Sequence, residues 1–155
     1  MVSEVGCPYI SSARATMLRK ALDAKADAVV FIDHDLSWNS PDLLDLVETE
    51  QDVVAGTYRF KREPEEYMGA LISGEGGAPI LGEGGCVEAH SAPAGFLKVT
   101  RKAVNDFMRA YPDLLYGEPC SPHVDLFAHG AHGNVWYGED YAFCRNYREK
   151  CEKIW

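Results

Sequence analysis

The residues with the clearest chemical potential are two aspartates one position apart, Asp33 and Asp35, which end the apolar run of VVFIDHDLSW over Val29 to Trp38. In extended backbone, side chains at i and i+2 point the same way, so both carboxylates reach one small volume while His34 faces elsewhere. Two like charges held together call for a cation. Hard oxygen ligands select Mg2+ or Mn2+, and a magnesium site of one or two carboxylates fills its other positions with water and substrate phosphates. The spacing therefore predicts a site for a phosphate or diphosphate ester. The competing account is a solvated turn that caps the next helix.

Other candidates join them from distant parts of the chain. Arg14 lies one turn before Met17 and Leu18 on the apolar face of a helix predicted from about Ser12 to Ala24. An inward guanidinium needs an anion, either a substrate phosphate or a neighbouring carboxylate. Tyr58 and Arg59 end a predicted strand, Asp52 to Phe60, and are carried toward the same edge as Asp35. In VWYGEDYAFCRNY, Val135 to Tyr147, a strand end and Gly138 lead into a helix that opens with Glu139 and Asp140, where the dipole favours carboxylates. Asp140 shares a helical face with Phe143, Cys144 and Tyr147, so it points inward and is a candidate general base. His123, His129 and His132 fall in an irregular segment, Asp113 to Gly133. His129 is a candidate third metal ligand among them, and surface histidines are the simpler account. Trp136 and Tyr137 could lay a ring face on a ligand or pack in the core.

The elements that position these residues read as an α/β domain. Four consecutive apolar residues before Asp33 suit a strand buried on both faces of a parallel sheet, whose ligands sit at strand ends. Asn39 or Ser40 caps a helix with Pro41 at its first position and Leu43, Leu44 and Val47 on its buried face. A strand-like run, Met68 to Ile72, precedes two Gly-Glu-Gly-Gly copies, Gly74 to Gly77 and Gly82 to Gly85, which read as surface loops because no Lys-Ser, Lys-Thr or helix follows. Pro93 to Thr100 is a strand entered through Gly95, where a ligand could approach the backbone. Thr100 caps a helix with Ala103, Val104, Phe107 and Met108 inward. At the start, Met1 to Val5 reads as a short strand.

The chain has 155 residues, 46% of them hydrophobic, enough for one domain with a real core. A net charge of -9, with only Arg59, Lys61 and Arg62 forming a cationic patch, argues against nucleic acid or an anionic membrane as partner. No apolar run approaches a membrane span and no signal-peptide pattern opens the chain, which predicts a soluble, cytoplasmic protein without a transmembrane segment. The 5 cysteines are odd in number and scattered, and read as reduced thiols.

Taken together, PYISSARA (Pro8 to Ala15), FIDHD (Phe31 to Asp35), VVAGTYRFK (Val53 to Lys61), AGFLKVTRKAV (Ala94 to Val104) and WYGEDYAFCRNYRE (Trp136 to Glu149) resemble the glycosyltransferases of the GT-A fold, near family 2 and its small bacterial and viral members. The resemblance implies a Rossmann-like, mostly parallel sheet flanked by helices, with a small hairpin or mixed-sheet insertion, as a single catalytic domain. It implies a nucleotide-sugar donor bridged by Mn2+ or Mg2+ to the DXD carboxylates Asp33 and Asp35, with Arg14, Tyr58 and Arg59 on the donor side. Sugar transfer to a glycan or other hydroxyl acceptor, with inversion, would use Asp140 as base, with Glu139 orienting the acceptor. Set against that pattern, the chain begins about one βα unit late and stops before a later strand and histidine, and Ala15 stands where relatives often have asparagine. A missing first strand would leave an edge for a homo-oligomer to cover. Two alternatives stand beside this one: a non-catalytic nucleotide-sugar-binding module, and a haloacid dehalogenase-type phosphatase with Asp33 as nucleophile and Asp35 as acid.

Overall fold

The computed structural model describes residues 5–155; the strand expected over Met1 to Val5 lies, but for Val5, outside them. At the centre is a three-stranded sheet of β1 (Ala28–Ile32), β2 (Val53–Ala55) and β5 (Phe96–Thr100) in the order β1-β5-β2. β5 runs antiparallel to both neighbours, pairing Phe31 with Leu97 and Val53 with Val99. The other ladders, β3 (Ala70–Leu71) with β4 (Ala89–Ser91), β6 (Leu115–Glu118) with β7 (Ser121–Val124), and β8 (Gly130–His132) with β9 (Val135–Tyr137), are antiparallel too. The expected GT-A-like, mostly parallel sheet is therefore corrected: every strand pairing among the described residues is antiparallel. An unbroken apolar run reports burial on both faces, and β5 supplies that burial from the opposite chain direction.

Four helices surround the sheet: α1 (Ile10–Asp23), α2 (Ser40–Glu48), α3 (Arg101–Ala110) and α4 (Glu139–Lys150). Alternation along β5 divides the core. Leu97 and Val99 face the larger half with Phe31, Val53, Phe107 and Phe143, whereas Phe96 packs with Val54 and Leu46 on the α2 side. Lys98 sits on that second face and is only 2% exposed. Its ammonium donates to the carbonyls of Val47 and Thr49, satisfying the C-terminal end of α2, and burial lowers its pKa. The chain end is tied in as well, since Trp155 N donates to Val53 O at 3.1 Å and Ala89 N to Ile154 O at 2.8 Å.

Local caps follow the sequence closely. Asn39 and Asp42 form a capping box on α2, with Pro41 inside its first turn. Thr100 Oγ1 accepts from Ala103 N at 3.2 Å and donates to Asp52 Oδ1 at 2.6 Å. Replacing Thr100 with Ala removes both bonds and is expected to cost about 1–2 kcal/mol, or roughly 3–6 °C in thermal melting, while Thr100→Ser keeps most of it. Equal melting of the Ala and Ser variants would show that the cap contributes nothing. All five cysteines are free thiols, and among the described residues no helix is long and apolar enough to cross a membrane.

Candidate acid–base site at the end of β1

Five of the predicted site residues converge where β1, α1 and the start of α4 meet. Arg14 is 3% exposed. Its Nη2 donates to Asp33 Oδ1 at 3.0 Å, its Nη1 faces Glu139 Oε1 at 3.5 Å, and its guanidinium carbon lies 5.0 Å from the centre of the Phe127 ring. Of the two anions open to Arg14 in sequence, the protein itself supplies the carboxylates. Arg14 reaches them because it occupies the buried face of α1 with Leu18 and Leu22, one turn apart.

Tyr58 and Asp140 complete the group. An added Cβ at Gly95 would overlap the Tyr58 hydroxyl and come within 2.7 Å of Asp33 Oδ2, so only glycine lets both side chains sit there. The close approach expected at Gly95 is thus made by the protein's own side chains. Burial, followed by the charges of Asp33 and Asp140, raises the Tyr58 pKa, so the phenol keeps its proton and remains a donor at neutral pH. Asp140 Oδ1 accepts from Tyr141 N at 2.8 Å. Burial is the largest influence on Asp140 and, with the negative charge of Glu139, raises its pKa against the opposing Tyr141 N–H and Arg14. Gly95→Ala is expected to push Tyr58 out of the cluster and cost roughly 1–3 kcal/mol. An unmoved Tyr58 ring resonance together with unchanged melting would contradict that packing.

The remaining predicted residues lie elsewhere. After Ile32 the backbone closes a turn, Leu36 N donating to Asp33 O at 3.2 Å, so the alternation that would align Asp33 with Asp35 ends. Asp35 is instead paired with Lys61, whose hydrogen bond and charge lower its pKa. Arg59 is engaged by Glu63 at 3.0 Å and Glu65 at 3.8 Å. His129 is exposed and its ring centre lies 6.2 Å from that of Trp136, which is itself 70% exposed. Among the described residues no three His, Cys, Asp or Glu side chains are grouped to hold a metal ion. The metal-binding, manganese and DXD assignment to Asp33, Asp35 and His129 is corrected accordingly, because each aspartate is neutralised by its own cation.

Some contributors were not singled out from sequence. Phe127, which floors Arg14, comes from the segment read as irregular, and Lys61, which takes Asp35, was noted only as part of a cationic patch. A cleft of about 360 Å3 opens beside Tyr58, with Trp38, Asp42, Asp45 and Phe96 among its walls. The Trp38 and Phe96 rings stack there with centres 6.3 Å apart.

No protein-family model and no curated protein matches the chain. Among solved structures, the crystal structure of A197 from STIV is similar with a TM-score of 0.52 and 18% identity, over 96% of this chain and 64% of that one. The chain thus spans 64% of the length of that neighbour, and at 18% identity the likeness is one of fold. With an antiparallel sheet and this neighbour, the GT-A glycosyltransferase resemblance is overturned. Its two alternatives, the nucleotide-sugar-binding module drawn from the same resemblance and the haloacid dehalogenase-type phosphatase drawn from four apolar residues followed by Asp33 and Asp35, find no support in the antiparallel sheet or in this neighbour.

Proposed function

We propose that the cluster is the acid–base centre of an enzyme acting on a small hydroxyl-bearing molecule, with Asp140 as general base and Tyr58 as the member of the cluster that also borders the neighbouring cleft. The observation that carries this reading is the state of Asp140: half-buried, raised in pKa by burial, beside Glu139 and with Oδ1 accepting from the Tyr141 N–H. A carboxylate with a raised pKa is a stronger base, and the nearer its pKa lies to working pH the more effective it is.

The other members act on position and charge. Arg14 draws Asp33 and Glu139 to opposite sides of one guanidinium, which fixes the first turn of α4 and with it Asp140. The Tyr58 hydroxyl, kept protonated, can donate to an oxygen that gains negative charge. No metal step is included, because Asp33 and Asp35 are held apart by separate cations.

Labelling with a hydrophobic carbodiimide at mildly acidic pH, mapped by mass spectrometry, tests this directly, since the reagent favours carboxyls that retain their proton. Asp140 is expected to label with Asp125, the other aspartate whose pKa burial raises, and ahead of the surface carboxylates. Label spread over surface carboxylates with Asp140 untouched would remove the base.

A further inference from the structure

The central sheet ends on one side at an unpaired strand. Asp33 N donates to Gly95 O at 2.9 Å and Arg101 N to Asp27 O at 2.7 Å, just beyond the two ends of the β1–β5 ladder. In an antiparallel pair such bonds recur at every second residue, so the odd positions of β1 face β5 while the backbone groups of Ala28, Val30 and Ile32 point away from it. Among the described residues none of those three makes a hydrogen bond through its outward N–H or C=O. The opposite edge of the sheet is closed, because Trp155 N donates to Val53 O and Ala55 N to Trp155 O at 2.8 Å.

Sheet edges are commonly blunted by a charge, a proline or a bulge. β1 has none of these: it reads AVVFI, its register against β5 is unbroken, and Ile32 is 37% exposed. A row of outward N–H and C=O groups is matched by another extended strand, which supplies both partners at the same repeat.

We infer that a second copy of this chain fills this edge, its β1 running antiparallel about a two-fold axis at Val30. That register sets Val30 against Val30 and Ala28 against Ile32, so each outward N–H meets an outward C=O, as a self-complementary contact requires. Charge permits this partner at this place. With a net charge of -9 two copies repel over most of their surface, but at the end of β1 Asp33 is held by Arg14 and Asp35 by Lys61. The antiparallel register brings Lys25 of one copy to the Asp35 end of the other, and sets Asp27 opposite an Asp33 whose charge Arg14 offsets. Asp140 lies on α4 outside the seam, so association does not depend on the acid–base reading.

Sedimentation velocity and amide hydrogen exchange on the full chain supply the test. A strand pair of this length is a small interface, so half-association is expected at roughly 10–100 µM, within a series from about 5 to 500 µM. Exchange at Ala28, Val30 and Ile32 should slow as concentration rises, while Val29 and Phe31, bonded to β5, exchange slowly throughout. Val30→Pro removes a donor that β5 does not use, and should weaken association at least about tenfold because bonds are lost on both sides of the axis. Ile32→Lys charges the seam, should have a similar effect, and serves if Val30→Pro does not fold. A chain that stays monomeric throughout the series would overturn the assignment. So would association unmoved by either variant, or exchange at Ala28, Val30 and Ile32 that is already slow in the monomer because another part of the chain covers the edge.

Discussion

Replacing Arg14 with Ala is expected to cost about 3 kcal/mol of folding stability, equivalent to a fall of roughly 6–12 °C in melting temperature for a domain of this size. The Arg14 side chain is 4% exposed, while those of Asp33 and Glu139 are 38% and 29% exposed. Removing the cation leaves two carboxylates facing each other across a buried gap, the situation in which broken ion pairs are costly. Because both partners keep some water, the lower end of the usual 3–5 kcal/mol range applies. The variant also loses the guanidinium over Phe127 and the methylenes packed beside Leu18. Arg14→Lys should recover only part of the loss, since one ammonium lacks the planar fork that reaches two carboxylates in different directions. Chemical denaturation of the three proteins provides the check. A cost below about 1 kcal/mol for Arg14→Ala would mean that the pairs behave as exposed surface bridges.

On the acid–base role proposed for Asp140, the second large effect is on turnover. Asp140→Asn keeps the shape of the side chain and removes its basicity, so the rate should fall roughly 100- to 10,000-fold with ligand affinity little changed. The same substitution is expected to stabilise the protein at neutral pH. The folded-state pKa of Asp140 is raised, so the folded chain holds that proton more tightly than the unfolded one. Stability from this group is therefore present below the ordinary carboxyl value, falls as pH rises toward the folded-state pKa, and is absent above it. Asn carries no such penalty. The melting advantage of Asp140→Asn over wild type should accordingly be present at pH 7 and vanish in acid. A variant less stable than wild type at pH 7 would show that the carboxylate is stabilised by its surroundings, contrary to the role given to it. Such a gain in stability at the expense of activity is common where a site stores unfavourable electrostatics.

Much of the local structure was legible in the residues themselves. The helix opened by Thr100, the cap at Asn39 and the inward face of α4 with Phe143, Cys144 and Tyr147 follow from short-range patterns, whereas Leu44 and Val47, read as the buried face of α2, are 57% and 48% exposed and Leu46 is the buried residue there. The inward placement of Arg14 was legible too, because helical spacing acts locally, while the approach to the Gly95 backbone expected of a ligand is made by Tyr58 and Asp33. What else failed was long-range or depended on chain reversal. Burial of Val29 to Phe31 does not say which way the neighbouring strand runs, and β5 arrives antiparallel from about seventy positions downstream. The Asp33 to Asp35 alignment assumed that extended backbone continued past Ile32, and one turn bond from Leu36 N was enough to separate them. The hairpin of β6 and β7 was hidden because Gly117, Pro119 and Pro122 resemble an open loop, although they frame a tight reversal. The Asp33 to Arg14 contact, 19 residues apart, and the Arg14 to Glu139 contact, 125 apart, carry no periodic signal.

The most direct measurement is a carboxyl-carbon NMR titration of Asp140 in the wild-type chain and in Tyr58→Phe. The account predicts an Asp140 midpoint above the ordinary value of 3.8 in the wild type, retained in Tyr58→Phe because burial and Glu139, not the phenol, are its causes. An Asp140 that titrates at or below 3.8 in the wild type would contradict the account at its root.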